Sequence, residues 1–320
     1  MTSIIGWALG LIALAAPLAQ AQAPDRVRAA IGQRGNWDTL VVPQGVEAGF
    51  FKKENIEVEV TWTRGGAETL QALITGSVDV DLANGILGVI GAYAKGAPVR
   101  VVSAEFTGAH DLFWYVKADS PVKSMKDMEG RTMGYSRPGS STHLVSQSLA
   151  SAAGVKPRFV SAGGVPDNRT QVMSGQIDAG WSIPPFNLEL LAEGKIRVIG
   201  RGGDVPALSG QTVRVNVASL KFLAERRDIA RRFMKAYHDT VDWMYRNPDA
   251  AIAFFAKFNS VSLDVARRTY EAYPRQAMAP DKVLGLEQSL AQALEYRQLD
   301  KPMSAPEAQG LFDFVYRPGP

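Results

Sequence analysis

A seven-residue pattern that occurs twice decides the fold. Leu73–Asp79 reads LITGSVD and Val172–Asp178 reads VMSGQID, so corresponding residues lie 99 positions apart. In each copy an apolar helix end is followed by a glycine, which readily adopts the left-handed conformation that ends a helix, and then by a β-branched residue typical of a strand. The repetition predicts two similar α/β lobes in one chain.

Strand-like and helix-like segments alternate around both copies. Around the first copy the predicted strands are Val27–Ile31, Ile56–Trp62 and Val78–Leu82, and the predicted helices are Val46–Lys53, Ala67–Thr75 and Ile86–Lys95. Around the second copy the strands are Arg131–Tyr135, Phe159–Ser161 and Ile177–Trp181, and the helices are Thr142–Ala153 and Asn168–Ser174. This alternation predicts mainly parallel sheets covered by helices on both faces. From Ser219 onward the sequence predicts almost only helix, with an apolar stripe that ends at Asn247-Pro248.

The first 23 residues have the pattern of a secretory signal peptide. Ile4–Ala16 is an uncharged apolar run, and the small-x-small triplets that signal peptidase accepts end at Ala21 and Ala23. The run is too short to span a bilayer of about 30 Å. No Lys or Arg precedes it, which departs from the usual pattern. We expect an exported, periplasmic protein that is cleaved near Ala21 or Ala23.

Composition and missing motifs exclude several function classes. The 320 residues carry a net charge of only +3 with no concentrated basic stripe, which argues against nucleic-acid binding. There is no cysteine, and the three histidines lack metal-binding spacing. Nucleophile-elbow, phosphate-loop and dinucleotide motifs are also missing. We expect no catalytic residue, no metal and no cofactor, and therefore a binding protein rather than an enzyme.

Polar, glycine-rich joints between strands and helices are the candidate ligand site, because open α/β sheets bind ligands there. Ser136–Thr142 is the most informative joint, since its hydroxyls stand at a predicted helix start beside Arg137 and would favour an anion. The alternative is ordinary helix capping by Ser141 or Thr142. The other joints are Gln33–Asp38, Arg64–Ala67, Asn84-Gly85, Thr107–His110 and Trp181–Pro185.

The order of these segments resembles that of the extracytoplasmic solute-binding proteins of ABC importers, within the nitrate/sulfonate/taurine branch that also includes pyrimidine-precursor binders. The similarity covers about residues 25–255 and is carried by Val46–Phe51, Gly65–Ala67, Gly76–Asp79, Val116–Pro121, Met128–Arg131 and Gly175–Ala179. The resemblance implies a type II periplasmic-binding-protein fold, in which two doubly wound α/β lobes are joined by a hinge and followed by a helical C-terminal tail. It places the crossings near Val116–Asp119 and Gln211–Val215, so that lobe 1 comprises residues 24–116 and 215–320 and lobe 2 comprises residues 117–214.

The resemblance also assigns the site residues. The family's binding loops fall on Asn36, Trp37, Gly66, Ala67, Asn84, Ser140, Ser141 and Trp181. Side-chain chemistry at the joints and at a predicted helix start adds Thr107, His110, Arg137 and Asn168, and suggests Arg34 as a further donor. Trp37 and Trp181 would be flat walls for a ligand or would pack structurally. His110 and Asp38 have weaker claims, because a histidine beside a glycine is often a simple loop residue and Asp38 could pair with an arginine instead.

These features predict a monomeric receptor that captures a small organic anion, either a sulfonate or an aromatic or other carboxylate. Hinge closure would bury the anion in the cleft, and the closed protein would deliver it to the membrane subunits of an ABC importer. A neutral pyrimidine-type thiamine precursor is the alternative ligand. A pyrimidine synthase of the same fold is disfavoured by the missing cysteine and the export signal. A transcriptional regulator is disfavoured because residues 24–60 do not predict a DNA-binding module. A receptor for another transporter class or a two-component sensor stays open.

Overall fold

The computed structural model describes residues 23–318, and the predicted signal peptide falls almost wholly outside this range. The strands are β1 Asp25–Gly32, β2 Ile56–Thr63, β3 Val80–Gly85, β4 Val99–Thr107, β5 Phe113–Lys117, β6 Thr132–Tyr135, β7 Arg158–Ser161, β8 Gly180–Ser182, β9 Ile196–Arg201 and β10 Thr212–Ser219. The helices are α1 Val41–Glu47, α2 Phe50–Lys53, α3 Gly66–Ile74, α4 Ile86–Ala94, α5 Ser141–Ala153, α6 Val165–Met173, α7 Leu188–Ala192, α8 Leu220–Glu225, α9 Arg227–Arg246, α10 Pro248–Asn259, α11 Leu263–Glu271, α12 Leu286–Glu295 and α13 Ala305–Gln309.

The first lobe is built on a five-stranded sheet with the order β2-β1-β3-β10-β4. β1 pairs in parallel with β2 and β3, whereas β10 runs antiparallel to both β3 and β4. Four strands therefore run in one direction and only the returning strand β10 opposes them. This agrees with the mainly parallel sheet predicted from the alternating segments.

The second lobe contains a three-stranded antiparallel sheet, β8-β5-β9, and the parallel pair β6-β7. A single bridge between Met133 and Ala179 connects the two. The sequence predicts β6 and β7 well, but it extends the third strand back to Ile177, whereas β8 begins only at Gly180. The strands β5 and β9 belong to the lobe and were not predicted.

The chain passes between the two sheets earlier than the resemblance implies. Phe113–Val116 already pairs within the second sheet, and Thr212–Arg214 already pairs within the first. The crossings therefore lie between β4 and β5 and between β9 and β10, ahead of the expected positions at Val116–Asp119 and Gln211–Val215. The strand pairing moves both expected lobe limits a few residues toward the N-terminus.

The repeated seven-residue pattern has the same structural role in both lobes. Gly76 has a φ of 76° and Gly175 a φ of 78°, which is the left-handed conformation expected after a helix end. The aspartate that ends each pattern accepts a hydrogen bond from a backbone N–H of a strand in the same lobe. Asp79 accepts from the Arg28 N–H of β1 at 2.9 Å, and Asp178 accepts from the Thr132 N–H of β6 at 2.8 Å. The predicted internal repeat is confirmed by this matching geometry.

The C-terminal helices cover the first sheet. In α9 the predicted apolar stripe is buried at Phe233, Met234, Tyr237 and Val241, and each large side chain of this kind contributes about 1.5–3 kcal/mol on full burial. The predicted continuous helix is interrupted at Arg226, which separates α8 from α9. Within residues 23–318, none of the helices combines the length and the apolar character needed to cross a membrane.

Candidate functional site

Loops from both lobes enclose a central cavity of about 60 Å³. Three joints of the first lobe contribute Gly32–Asn36, Arg64–Gly66 and Ala83–Gly85, and β10 contributes Arg214. The second lobe contributes the loop 136–142 and the strand end at Trp181. The cavity therefore lies where the strands of both sheets end, as expected for ligand sites of open α/β sheets.

The two lobes touch directly beside the central cavity. The N–H of Gly88 donates to the carbonyl oxygen of Gly139 across the gap at 2.9 Å. A Cβ added to Gly85 would lie only 2.7 Å from the Gly139 oxygen and from the Ser141 nitrogen. Gly139 has a φ of 81°, in the left-handed region that favours glycine. Three glycines therefore allow the backbones of the two lobes to meet.

A cluster of hydroxyl groups forms the second-lobe wall of the cavity. The Thr142 Oγ1 atom lies 2.8 Å from Ser136 Oγ and 2.9 Å from Ser140 Oγ. Ser140 is the N-cap of α5, because its Oγ accepts from the N–H of His143 at 3.1 Å. The capping interpretation is therefore correct, but the cap is Ser140 rather than Ser141 or Thr142. Capping does not remove Ser140 and Ser141 from the cavity wall, which both also line.

Arg214 lies at the floor of the cavity in a buried cluster of charges. Its Nε lies 3.1 Å from Asp38 Oδ2 and 3.1 Å from Glu105 Oε2, and its Nη2 lies 2.5 Å from Asp111 Oδ2. The side chains of all four residues are at most 5% exposed. The sequence-based hypothesis that Asp38 pairs with an arginine is confirmed. Three carboxyl groups thus share one guanidinium through Nε and Nη2, while Nη1 lies 3.5 Å from Ser141 Oγ of the other lobe.

Burial dominates the protonation of this cluster. It raises the pKa of Asp38 and raises that of Glu105 strongly, because an ionised carboxylate loses its hydration, while Arg214 opposes both shifts. Burial alone would lower the pKa of Arg214, but Asp111, Asp38 and Glu105 together raise its pKa well above the ordinary value. Arg214 therefore stays charged, and the carboxyl groups of Asp38 and Glu105 hold protons to higher pH than exposed ones do.

Arg64 and Arg137 lie at the mouth of the cavity and share one carboxylate. Glu68 on α3 accepts from Arg64 at 3.0 Å, and its Oε1 also lies 3.7 Å from Arg137 Nη2. Because Arg137 belongs to the second lobe and Glu68 to the first, this ion pair crosses the cleft. The mouth has one more positive than negative charge, whereas the floor has more carboxyl groups than arginines.

Five of the residues predicted for the site line the central cavity. They are Asn36, Gly66, Ser140, Ser141 and Trp181. Asn36 Oδ1 is buried and has no hydrogen-bond partner among the described residues, so it is a free acceptor at the cavity wall. Trp181 is 4% exposed and donates its indole N–H to the Gly163 carbonyl at 3.3 Å, which fixes the ring beside the cavity.

The pocket role predicted for Trp37 is wrong. Trp37 is fully buried in the first lobe, where its ring centroid lies 5.4 Å from that of Phe255 and 5.2 Å from that of Tyr270. The sequence places Trp37 in a polar joint, but the first turn that follows β1 directs the ring into the core formed by the C-terminal helices. Those helices come from more than 200 residues further along the chain, so the joint alone does not reveal them.

Other predicted ligand contacts are structural in this arrangement. Asn84 donates to the Gly66 carbonyl at 2.7 Å and to Asp81 at 2.5 Å, and therefore anchors the start of α3 to β3. Asn168 is fully buried and donates to the Trp181 carbonyl at 2.7 Å. Thr107 pairs with the Thr212 hydroxyl at 2.9 Å.

The remaining predicted residues lie around the cavity rather than in its wall. Ala67 faces a neighbouring pocket behind α3, and His110 is exposed beside Gly203. Arg137 bridges the lobes at the mouth through Glu68, as described above. Arg34 donates to the Phe258 carbonyl at 3.1 Å in a separate chamber on the outer side of the cleft.

Ser136 and Thr142, which belong to the predicted joint but were not singled out as ligand contacts, also line the cavity, and the sequence analysis did not identify Arg214 at all. A signal for Arg214 was present: it is the only charged residue in the β10 sequence TVRVNVAS, where a buried strand would otherwise be uncharged. An arginine in such a strand requires buried partners, and three carboxyl groups supply them.

Replacing Asp81 by asparagine is expected to stabilise the protein increasingly as pH rises. Burial raises the pKa of Asp81 to about 8, although hydrogen bonds from Thr69 and Asn84 lower it. Between about pH 4 and 8 the folded carboxyl therefore holds a proton that the unfolded one has lost, and folding stability falls with rising pH by about 1.4 kcal/mol per unit. The difference in the free energy of unfolding between Asp81→Asn and wild type should therefore increase by about 1.4 kcal/mol between pH 6 and 7, as measured by urea unfolding. Asp264→Asn, at an exposed position, is the control. A stability difference between Asp81→Asn and wild type that does not change with pH would contradict the raised pKa of Asp81.

The architecture and the position of the cavity define a fold class, the bilobal periplasmic-binding-protein fold. The alkanesulfonate-binding protein SsuA from Xanthomonas axonopodis pv. citri, solved bound to MOPS, superposes with a TM-score of 0.73 at 19% identity, over 90% of this chain and 99% of that chain. At this identity the similarity shows the fold, and it confirms the bilobal α/β fold implied by the sequence resemblance.

The family follows from the sequence comparison. The model of the NMT1/THI5-like family matches residues 42–251, and the chain belongs to this family. A relative named as an aliphatic sulfonates-binding protein of Escherichia coli (strain K12) is 27% identical over 48% of this chain and 49% of its own length. The 4-amino-5-hydroxymethyl-2-methylpyrimidine phosphate synthase of Candida albicans (strain WO-1) is 21% identical over 66% of this chain and 64% of its own length. The matched region thus spans about half to two thirds of these relatives.

Proposed function

We propose that this protein is an extracytoplasmic receptor that binds one small organic anion between its lobes and delivers it to the membrane subunits of an ABC importer. The observation that supports the proposal is the convergence of polar loops from both lobes on one cavity. Relatives named as binding proteins, one of them for aliphatic sulfonates, support the same role.

Two helix starts favour an anion in the cleft. α3 begins at Gly66 and α5 at Ser141, and both residues line the central cavity. First-turn N–H groups of a helix have no intrahelical acceptor and carry partial positive charge, so they stabilise an anionic head group. The hydroxyl cluster of Ser136, Ser140 and Thr142 adds donors, and Arg64 and Arg137 add attraction at the mouth. A sulfonate or carboxylate head group fits these donors.

Ligand entry requires the lobes to separate. A cavity of about 60 Å³ holds little more than one or two water molecules, whereas organic ligands usually occupy about 300–1,000 Å³. The Gly88–Gly139 hydrogen bond and the Arg137–Glu68 ion pair both cross the cleft, so they form only when the lobes close. We infer that hinge closure forms these contacts around the ligand, and that the closed form is the one an importer recognises.

A neutral aminopyrimidine is the second candidate ligand, and the floor of the cavity favours it. Asp38 lines the cavity, and the buried cluster contains three carboxyl groups against one guanidinium. A carboxylate accepts hydrogen bonds from an exocyclic amino group but repels an anion. The relative named as a pyrimidine phosphate synthase makes a pyrimidine a chemically reasonable ligand for this chain as well.

A thermal-shift panel separates the two ligand classes. Protein lacking residues 1–23 is mixed with ethanesulfonate, benzoate, nitrate or 4-amino-5-hydroxymethyl-2-methylpyrimidine, and one class is expected to stabilise it. A ligand at a hundredfold excess over its Kd adds about 2.7 kcal/mol, which raises the Tm by several degrees. In Asp38→Asn the affinity for a sulfonate should stay the same or rise, while affinity for the pyrimidine should fall at least tenfold.

The panel also has outcomes that reject the proposal. No shift of the Tm with any class would remove the receptor role for these ligand classes. Consumption of a panel compound, followed by mass spectrometry, would indicate an enzyme instead of a receptor.

A further inference from the structure

A second, larger space lies on the outer side of the cleft, and we call it the outer chamber. It has a volume of about 700 Å³ and is lined by Arg34, Arg169, Phe186, Phe258 and Asn259, among other residues. Arg169 and Phe186 belong to the second lobe, whereas Phe258 and Asn259 end α10 of the first. The outer chamber is therefore formed between the lobes, as the central cavity is.

One loop of the first lobe borders both the outer chamber and the central cavity. A Cβ added to Gly35 would lie 2.7 Å from Cζ of Phe186, so the Phe186 ring rests directly on the Gly35 backbone. The neighbours Gln33 and Asn36 face the central cavity, while Arg34 and Gly35 face the outer chamber. The two spaces are therefore adjacent across this loop, and Phe186 packs against the loop from the side of the outer chamber.

The volumes decide where the body of a ligand can lie. The central cavity, at about 60 Å³, accommodates a small head group at most, whereas the outer chamber, at about 700 Å³, is within the usual range of ligand sites. Phe186 and Phe258 provide apolar walls against which an aromatic ring can pack.

The charges of the outer chamber favour a second anionic group. Within residues 23–318, neither Arg34 nor Arg169 has a carboxylate within 4 Å, and Glu189 is the one acidic residue in the chamber wall. The guanidinium of Arg34 lies 4.4 Å from the centroid of the Phe258 ring, which holds it in the chamber. Asn259 Nδ2 is buried and has no acceptor among the described residues, so it is a further donor without a partner.

We propose that the outer chamber is a second subsite that binds the body of the ligand, and that the ligand is an aromatic compound carrying two acidic groups. This inference rests on the proposed receptor function and specifies its ligand. The first acidic group binds at the starts of α3 and α5, the ring extends past the loop at residues 33–36 and packs against Phe186 and Phe258, and the second acidic group binds between Arg34 and Arg169.

Three probes of increasing size test the subsite by isothermal titration calorimetry. Ethanesulfonate has the head group alone, benzenesulfonate adds the ring, and 4-sulfobenzoate adds the second acidic group. Affinity should rise along this series, with 4-sulfobenzoate binding at least tenfold more tightly than benzenesulfonate. Arg169→Gln should abolish that last difference and leave ethanesulfonate binding unchanged. Arg158→Gln, which removes an exposed arginine of the same lobe outside the chamber, should preserve the whole series.

The outcomes distinguish the subsite from the receptor function. Equal affinity for the three sulfonates, or a preference for 4-sulfobenzoate that survives Arg169→Gln, would overturn the outer subsite and leave an anion receptor. Stabilisation by the pyrimidine without binding of any sulfonate would overturn the subsite and the anionic ligand but leave a receptor. The absence of binding by every compound would overturn both proposals.

Discussion

Replacing Arg214 by methionine is expected to destabilise the protein by about 3–5 kcal/mol at pH 7.5. The substitution leaves Asp38, Glu105 and Asp111 in a site where their side chains are at most 1% exposed, without the guanidinium that neutralises them. Removing one partner of a buried ion cluster costs about this much, because the remaining charges have neither water nor a counter-ion. Methionine fills a comparable volume, so the loss measures the charge rather than a cavity. Urea unfolding of wild type and variant gives the difference.

The destabilisation should decrease in acid. Without Arg214 the pKa values of Asp38 and Glu105, which burial already raises, rise further. The folded state then binds protons at a pH where the unfolded carboxylates have lost them, so the stability of the variant falls as pH rises above about 4. The variant should therefore lie closer to wild type at pH 5 than at pH 7.5. Adding Glu105→Gln to the variant should recover part of the loss at pH 7.5, because one buried charge is removed.

Arg227→Met is the matched control for this prediction. Arg227 also makes two short hydrogen bonds to a carboxylate, Asp313, at 2.7 Å each, but its side chain is 59% exposed. Water replaces the partner there, so the expected loss is below about 1 kcal/mol. A loss in Arg214→Met no larger than that of Arg227→Met would show that the cluster is not buried as described.

Replacing Gly85 by alanine is expected to weaken ligand binding about a hundredfold while the fold stays intact. Gly85 has φ −63° and ψ 125°, which alanine adopts without strain. The added Cβ would lie 2.7 Å from the Gly139 oxygen of the opposite lobe, and the nearby backbone cannot yield as a flexible side chain would. The methyl group therefore holds the lobes apart, and the ligand loses the contacts that depend on closure.

Calorimetry with the panel compound that stabilises the protein most measures this effect, and small-angle X-ray scattering reports whether the lobes contract. The variant should unfold at nearly the wild-type urea concentration and should not contract when ligand is added. Gly210→Ala is the control, because a Cβ at that position meets no atom within 4 Å. Unchanged affinity in Gly85→Ala would mean that the ligand-bound form does not include the Gly85–Gly139 contact.

Several elements followed from the sequence because their causes are local. The two copies of the helix–glycine–strand pattern predicted two lobes, since a glycine that ends a helix and a β-branched strand start are properties of a few neighbouring residues. The buried face of α9 followed from the spacing of Phe233, Tyr237 and Val241 in the same way. The helix start within residues 136–142 was also predicted correctly, because hydroxyl residues at a helix start are a short-range signal.

The predictions failed where a side chain's surroundings come from distant segments. Trp37 and Asn36 are adjacent in one joint, yet the first is in the core and the second lines the cavity. Successive side chains of a turn point in different directions, and only the packing of α10 and α11 determines which direction is buried. The lobe limits failed for a related reason, because the pairing of β5 and β10 depends on strands far away in the chain.

The sequence by itself therefore determined that the chain forms two α/β lobes with polar glycine-rich joints, since helix ends, strand starts and caps depend on neighbouring residues. Only the tertiary structure decided which polar groups meet. Asp38, Glu105, Asp111 and Arg214 come from separate stretches of the chain, and their charges interact because folding places each carboxyl group within about 3 Å of the Arg214 guanidinium and away from water. The same is true of the outer chamber, whose arginines and aromatic rings come from both lobes. The strength of a charge interaction depends on distance and burial, which the order of residues does not contain.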